Sequence, residues 1–456
     1  MGIRDLFDPS GIAVIGASAT PGKLGNDAMA NAKEFDGPVY PVNPSGEGEV
    51  YGYEFVDSVA DTDADLALCC VPAPATPDVI EECGEAGVGA AVIFAGGFAE
   101  AGEEGRKRQE AIRQTAEEYD ITVLGPNTAG HIIPHKQIYS SFVPGFDEIE
   151  TGDVAVVAQS GGIGVTSTFQ LEREGYGISG MYGLGNRVNT DFADVLPMLD
   201  EDPQTKAIGL HIEGTEDIDR FFDVVEDTET PLVALKSGSR MQEFVQSHTA
   251  APAQEYERYE RVIRENGGVM AESVTEMLDA TRVLAKSPVP DGPNVGLVTA
   301  QAGPGIMLAN YLAERDVPFP ELTPETQERL DDLLLGFTYE ENPVDTGRPM
   351  PEFGQVIDAV ARDDNVDIVL VYEIFEHSLG YPVEELEQLA EDLDKPIVFT
   401  VAGPYDALEP DRKRMEEIGI PTFDAPERGA YAASVLVDSI RPAESQRSKT
   451  ATTTDF

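Results

Sequence analysis

The sequence predicts three α/β domains in a row, each a doubly wound parallel sheet. Three segments start alike: "GIAVIGASATPGKLG" from Gly11, "DVAVVAQSGGIGVTS" from Asp153 and "NVGLVTAQAGPGIML" from Asn294. Each is a short apolar run, a loop of glycine and small residues, then a helix-like stretch. The spacing is even, with Val154 142 positions after Ile12 and Val295 141 after Val154. Elsewhere, near-continuous apolar runs alternate with helical patterns, as parallel strands covered on both faces require.

The elements follow in order. In the first domain (1–130) the further strands are "VYPV" (39–42), "DLALCCV" (65–71), "AAVIFA" (90–95) and "ITVLG" (121–125). A helix starts near Thr76 in "TPDVIEECGEAG". In the second (131–288) the strands are "ISGMYGLG" (178–185), "KAIGLHI" (206–212) and "PLVALKS" (231–237). The proline-rich "AKSPVPDGPN" (285–294) marks the next joint. The third (289–440) holds the helix "FGQVIDAVARDD", the strands "VDIVLVY" (366–372) and "KPIVFTV" (395–401), and "PTFD" (421–424) as an edge strand. The tail, 441–456, has no apolar pattern and is expected to be disordered.

Composition narrows the function classes. With 84 acidic residues against 31 basic, the net charge is −53, and the acids are spread along the chain. Beside an apolar content of 41% this is not disorder. It suits a halophilic protein whose self-repulsion is screened by concentrated salt. No basic stripe exists to neutralise phosphates, which excludes nucleic acid as a partner. No apolar run is long enough to span a membrane and the start shows no cleavable signal, so a cytoplasmic location is expected. Cys69, Cys70 and Cys83 read as buried reduced thiols. Nothing has metal-ligand spacing.

The first glycine loop asks for a phosphate at a helix N-terminus. Gly16, Gly22 and Gly25 do not make G-x-G-x-x-G, and the second strand ends in Asn43 and Pro44 instead of an acid for a ribose hydroxyl. An NAD(P)-linked oxidoreductase therefore lacks both supports. The loop offers Ala17, Ser18, Pro21 and one cation, Lys23, which fits a phosphorylated adenosine ligand of another kind. Val42, Val71 with Pro72, Ala95 with Gly96, and Asn127 stand at the other strand ends and should line the same crevice.

"GASATPGKLG", "YPVNP", "VPAPATPDVIEECGEAG", "GGFAEAGEEG" and "LGPNTAG" resemble the CoA-binding domain of ADP-forming acyl-CoA synthetases, relatives of succinyl-CoA synthetase. The resemblance continues through "QSGGIG", "GLGNRVNTDFADVLPML", "IEGTED", "LKSG", "SHTAA", "NPVD" and "APERGAYA", over about residues 5 to 440 in the family's order. It implies a Rossmann-like CoA-binding domain followed by two flavodoxin-like ligase domains. The implied reaction is acyl-CoA + ADP + phosphate ⇌ carboxylate + CoA + ATP, through an acyl phosphate.

At the family's phosphorylated position stands His248. Neutral imidazole is nucleophilic near pH 7, and the small residues around His248 suit a loop that carries a phosphoryl group between two sites. Glu213 matches the carboxylate that orients the ring. Ser160, Gly161 and Gly162 would cradle phosphate at one helix N-terminus, with Gly303 and Gly305 of "QAGPG" at a second. Ala250 and Ala302 stand where the family has glycine. His131, His135 and His377 read as solvated loop residues, and His211 as a buried strand residue.

The three domains leave no room for the ATP-grasp module that holds ADP or ATP with magnesium. The resemblance therefore implies an α-type subunit with a separate ATP-grasp β subunit, in a hetero-oligomer. CoA, acyl-CoA, the carboxylic acid and phosphate are the small-molecule partners, and the acid stays open. The competing reading is a non-catalytic CoA-binding regulatory protein of the same fold.

Overall fold

The computed structural model describes residues 2–237, 251–334 and 341–440, without the side chains of 251–254. The chain forms two compact units, 1–230 with 234–262, and 231–233 with 263–456.

The first unit contains a parallel sheet of β1 (Ile12–Ile15), β2 (Val39–Val42), β3 (Leu66–Cys69), β4 (Ala90–Ile93) and β5 (Thr122–Leu124), in the order β2-β1-β3-β4-β5. Every residue of β1, β3 and β4 is buried, because helices cover both faces. Pro41 is tolerated because β2 is an edge strand. The covering helices include α1 (Leu24–Ala32), α2 (Thr76–Ala86) and α3 (Glu103–Tyr119). A Cβ on Gly25 of α1 would lie 2.0 Å from the Gly16 carbonyl oxygen, so only glycine lets this helix rest on the loop after β1. Gly87 ends α2 in the left-handed conformation at φ 82°. Cys69 and Cys83 are buried and all three thiols are unbridged.

A second sheet follows: β6 (His131–Ile133), β7 (Ile138–Ser140), β8 (Thr151–Ala158), β9 (Ile178–Gly183), β10 (Ala207–Ile212) and β11 (Leu232–Lys236). Within this unit its order runs β11-β10-β8-β9-β6-β7. To the expected parallel strands this sheet adds an antiparallel edge. The hairpin β6–β7 joins β9 antiparallel, with Met181 opposite Ile132 and Tyr182 opposite His131. Strands of three residues are too short to show a period. α4 (Gly161–Arg173) crosses over from β8 to β9.

This hairpin also corrects the reading of His131 as solvated. The ring is fully buried, Nε2 donates to the Leu6 carbonyl at 2.8 Å, and Nδ1 has no partner. Burial lowers its pKa from 6.5 to about 4, outweighing the Leu6 hydrogen bond. The unfolded chain takes up this proton below pH 6.5 and the native state only near 4, so stability is lost as pH falls through that window. The loss approaches about 3 kcal/mol. In urea melts at fixed salt, the wild type should lose about 2–3 kcal/mol more than His131→Gln between pH 7 and 4.5. Carboxylates common to both cancel in the difference, and equal losses would refute the assignment.

The second unit holds β12 (Val295–Thr299), β13 (Val344–Asp345), β14 (Ile368–Ile374), β15 (Ile397–Ala402) and β16 (Thr422–Phe423), ordered β13-β12-β14-β15-β16. This repeats the strand order of the first sheet, and β16 is the edge strand read from "PTFD". Its helices include α5 (Val274–Lys286), α6 (Ala302–Ala313) and α7 (Pro426–Ile440). Phe353, Val371, Phe399 and Met415 centre its core. Among the described residues, no helix is long and apolar enough to cross a membrane.

Candidate functional site

In the first sheet the strand order reverses between β1 and β3, where doubly wound sheets take ligands at their carboxyl ends. The proposed crevice residues all stand along this edge. Gly16, at φ 84°, donates from its amide to the Val42 carbonyl at 2.9 Å. Asn43 donates from Nδ2 to the Ala17 carbonyl at 2.8 Å, so it ties the first loop to the second. Ser18 accepts from the Thr20 amide and, through its carbonyl, from Asn26. Pro21 and Gly22 lead to Lys23, exposed at the start of α1 with no capping bond. Pro44 follows Asn43. Val71 and Pro72 leave β3 into a short 3-10 turn, Ala73–Ala75, that runs into α2. Ala95 accepts from the Asn127 amide at 2.9 Å. A Cβ on Gly96 would stand 3.2 Å from the Asn127 Oδ1, so the backbones at β4 and β5 close on one point.

There the two sheets of the first unit meet. Asn186, beyond β9, donates from Nδ2 to Glu100 Oε2 at 2.6 Å and Gln109 Oε1 at 3.0 Å. Burial acts to raise the Glu100 pKa. Hydrogen bonds from the Gly97 amide and Asn186 outweigh it and hold the carboxyl below its usual range. A cavity of about 840 Å³ opens beside this link. Glu100 and Asn127 wall it from one sheet, and Gln159, Ser160 and Glu213 from the other.

Ser160, Gly161 and Gly162 form the cavity-facing start of α4. Ser160 makes no capping bond with its side chain. The helix therefore presents amides without intrahelical partners and the positive end of its dipole. A Cβ on Gly161 would be 3.2 Å from the Ala129 nitrogen.

Glu213 caps β10 at the cavity wall, exposed. Its backbone is fixed: the amides of Glu213 and Gly214 donate to Gln159 Oε1 at 2.9 and 3.0 Å. The Lys236 ammonium donates to the Glu213 carbonyl at 2.8 Å and the Ser237 carbonyl at 3.1 Å. Lys236 is buried against the Tyr259 ring, which lowers its pKa despite Glu255 and Glu213. Gln159, Arg187 and Lys236 escaped the sequence reading, because hydrogen bonds to a distant backbone leave no spacing to detect.

His248 lies outside the described residues, as does Ala250. Gly303 and Gly305 occupy the first turn of α6 in the other unit, after the N-cap Gln301. A Cβ on Gly305 would come within 2.7 Å of the Thr299 side chain, so packing alone requires that glycine, whereas Gly303 borders open space. His211 is buried as expected, bonded to Ser237 Oγ at 2.9 Å, and burial lowers its pKa. His377 is exposed, whereas His135 is partly buried 3.7 Å from Asp202. Among the described residues, no cluster of three or more His, Cys, Asp or Glu could hold a metal ion.

The chain matches two family models: a CoA binding domain at residues 10–134 and a succinyl-CoA ligase like flavodoxin domain at residues 151–284. Acetate–CoA ligase [ADP-forming] II subunit alpha of Pyrococcus furiosus is 33% identical over 453 residues, covering 95% of this chain and 97% of that one. Acetate–CoA ligase [ADP-forming] I of Archaeoglobus fulgidus is 34% identical, covering 94% of this chain but 63% of that one. A crystal structure from Pyrococcus horikoshii OT3 superimposes with a TM-score of 0.87 at 31% identity, covering 97% of this chain and 99% of that one. The acetyl-coenzyme A synthetase 1 of Ca. Korarchaeum cryptofilum, in complex with phosphate and ADP, gives 0.85 at 27% identity, covering 100% and 99%. With both family modules on the two sheets that wall the cavity, and homology along nearly the whole length, this chain belongs to the family of ADP-forming acetate–CoA ligase α subunits.

Proposed function

We propose that this chain is the CoA-binding, phosphoryl-carrying α subunit of an ADP-forming acyl-CoA synthetase, a ligase that forms carbon–sulfur bonds. The observation that carries the reading is the cavity where the CoA-binding sheet and the start of α4 meet beside Glu213. In the direction of ATP formation, phosphate displaces CoA from the acyl-CoA and leaves an acyl phosphate. The imidazole of His248 takes the phosphoryl group and releases the carboxylate, and ADP then accepts it as ATP. Glu213 holds the imidazole through its other nitrogen and stabilises the cation formed. The amides at Ser160, Gly161 and Gly162 bind the phosphoryl oxygens, and Gly303 serves a later position of the group.

On this reading CoA lies along the first sheet, its phosphates on the loop Gly16–Lys23 and its thiol end toward Asn127. The working divisions are 1–130 for CoA, 131–288 for the phosphohistidine, 289–440 for the second flavodoxin-like domain and 441–456 as a tail. The nucleotide and its magnesium belong to an ATP-grasp β subunit. The coverage supports this: the chain spans 97% of a relative named as subunit alpha but 63% of one named without a subunit. The charge of −53 suits the cytoplasm of a halophile.

The isolated chain should bind CoA in a calorimetric titration, ignore NADH, and form no ATP from acyl-CoA. Adding an ATP-grasp subunit from the same source should start ADP-dependent release of CoA. The rate should rise toward molar salt, as the Debye length falls from ~30 Å at 0.01 M to ~3 Å at 1 M and two acidic chains can meet. NADH binding in place of CoA would end the reading. Robust turnover by the isolated chain would move the nucleotide site into this chain.

A further inference from the structure

We propose that Arg187 binds a phosphoryl oxygen in the cavity between the two sheets of the first unit, an inference that rests on the function proposed above. Arg187 follows β9 in the loop that also carries Asn186, and it lines the cavity with Ser160, Gly161 and Glu213. Among the described residues of the cavity wall it is the one cation, against three acids, Glu100, Glu213 and Glu216. A dianionic phosphate entering so acidic a wall needs a fixed positive charge, and the start of α4 supplies only a partial one.

Two local features point to a ligand rather than to packing. Arg187 holds φ at 58°, the left-handed region, which costs an arginine roughly 1–3 kcal/mol and is retained where surroundings or function impose it. Its Nε is buried with no acceptor, although the side chain is otherwise well anchored. Nη1 donates to Asp191 Oδ2 at 3.1 Å and to the Gly214 carbonyl at 2.9 Å. Asp191 is itself fixed, capping the helix Phe192–Asp200 and accepting from the Glu216 amide at 3.0 Å. One edge of the guanidinium is thus tethered while another donor stands unused, the arrangement of a preorganised anion contact. The Gly214 bond also sets Arg187 beside Glu213, so the phosphoryl group it holds would lie within reach of the groups that process it.

The test uses the enzyme reconstituted with its ATP-grasp subunit and measures KM for phosphate, acyl-CoA and the carboxylic acid separately. Arg187→Met should raise KM for phosphate about 10- to 100-fold, as loss of a charge-assisted hydrogen bond predicts. KM for acyl-CoA and for the acid should change less than about threefold, and Arg187→Lys should recover part of the loss. CoA affinity of the isolated variants, equal to wild type, shows that they fold. A fall in kcat with KM for phosphate unchanged would mean that Arg187 only braces Gly214, and would overturn the proposal. A rise confined to KM for the acid would overturn it too, by assigning the arginine to a carboxylate. Both outcomes presuppose active wild-type enzyme; a wild type that neither binds CoA nor turns over would remove the underlying function instead.

Discussion

Exchange of His248 for alanine is expected to abolish acid-labile phosphate labelling of the chain and to lower ATP formation by on the order of 10⁴-fold or more, since it removes the nucleophile itself. The labelling mixture is the reconstituted enzyme with acyl-CoA, labelled phosphate and magnesium. A phosphoramidate hydrolyses in acid and survives in base, which separates it from a phosphoserine. CoA affinity should stay at the wild-type value, because the function proposed above lays CoA along the first sheet and gives His248 no part in holding it. Glu213→Gln should label more slowly without losing the label entirely, as an orienting group does. Undiminished labelling of the alanine variant would remove His248 from the mechanism.

Asp279→Ala is expected to destabilise the second unit by about 3–5 kcal/mol, the cost of stranding buried charge. Asp279, on α5, is 1% exposed and receives a bidentate pair from Arg428 of α7, at 2.6 and 2.8 Å. Arg282, also 1% exposed, lies 3.6 Å from the same carboxylate. Its guanidinium donates to the Thr422 carbonyl at 2.8 Å and sits 4.8 Å over the Phe423 ring. One buried carboxylate thus stands between two guanidinium groups, which also reach Asp424 and Glu416. Removing it leaves Arg428 with Asp424, at 2.8 Å, and Arg282 with Glu416, at 3.7 Å, as the nearest remaining counter-charges, while the buried site it occupied loses its acceptor. Thermal melts at fixed high salt should show a fall in Tm of about 10 °C. Salt should not restore it, because buried pairs are screened little. A change under about 1 kcal/mol would show that water reaches the arginines when the carboxylate is gone.

The sequence by itself determined the three sheets and most of their strands, because strands buried on both faces must be apolar along their length. It also placed the loops after the strands of the first sheet along one edge. Glycine, proline and small polar residues recur after each strand of the first sheet, and a parallel sheet brings all those strand ends to one edge. Even "PTFD" was legible, as a short apolar run beside the last helix.

Tertiary structure alone decided what depends on pairing at long range. The β6–β7 hairpin and β13 have two or three residues each, too few for a period to show. His131 reads as a loop histidine until β6 places it against the Leu6 carbonyl of the helix Gly2–Phe7, where burial, offset in part by that hydrogen bond, sets its protonation. The bracing of Glu213 is of the same kind. Gln159, Arg187 and Lys236 lie 54, 27 and 23 positions from Glu213 or Gly214, whose backbone they bond. No local pattern can announce such bonds, because a hydrogen bond to backbone reads only distance and direction, and the fold supplies both.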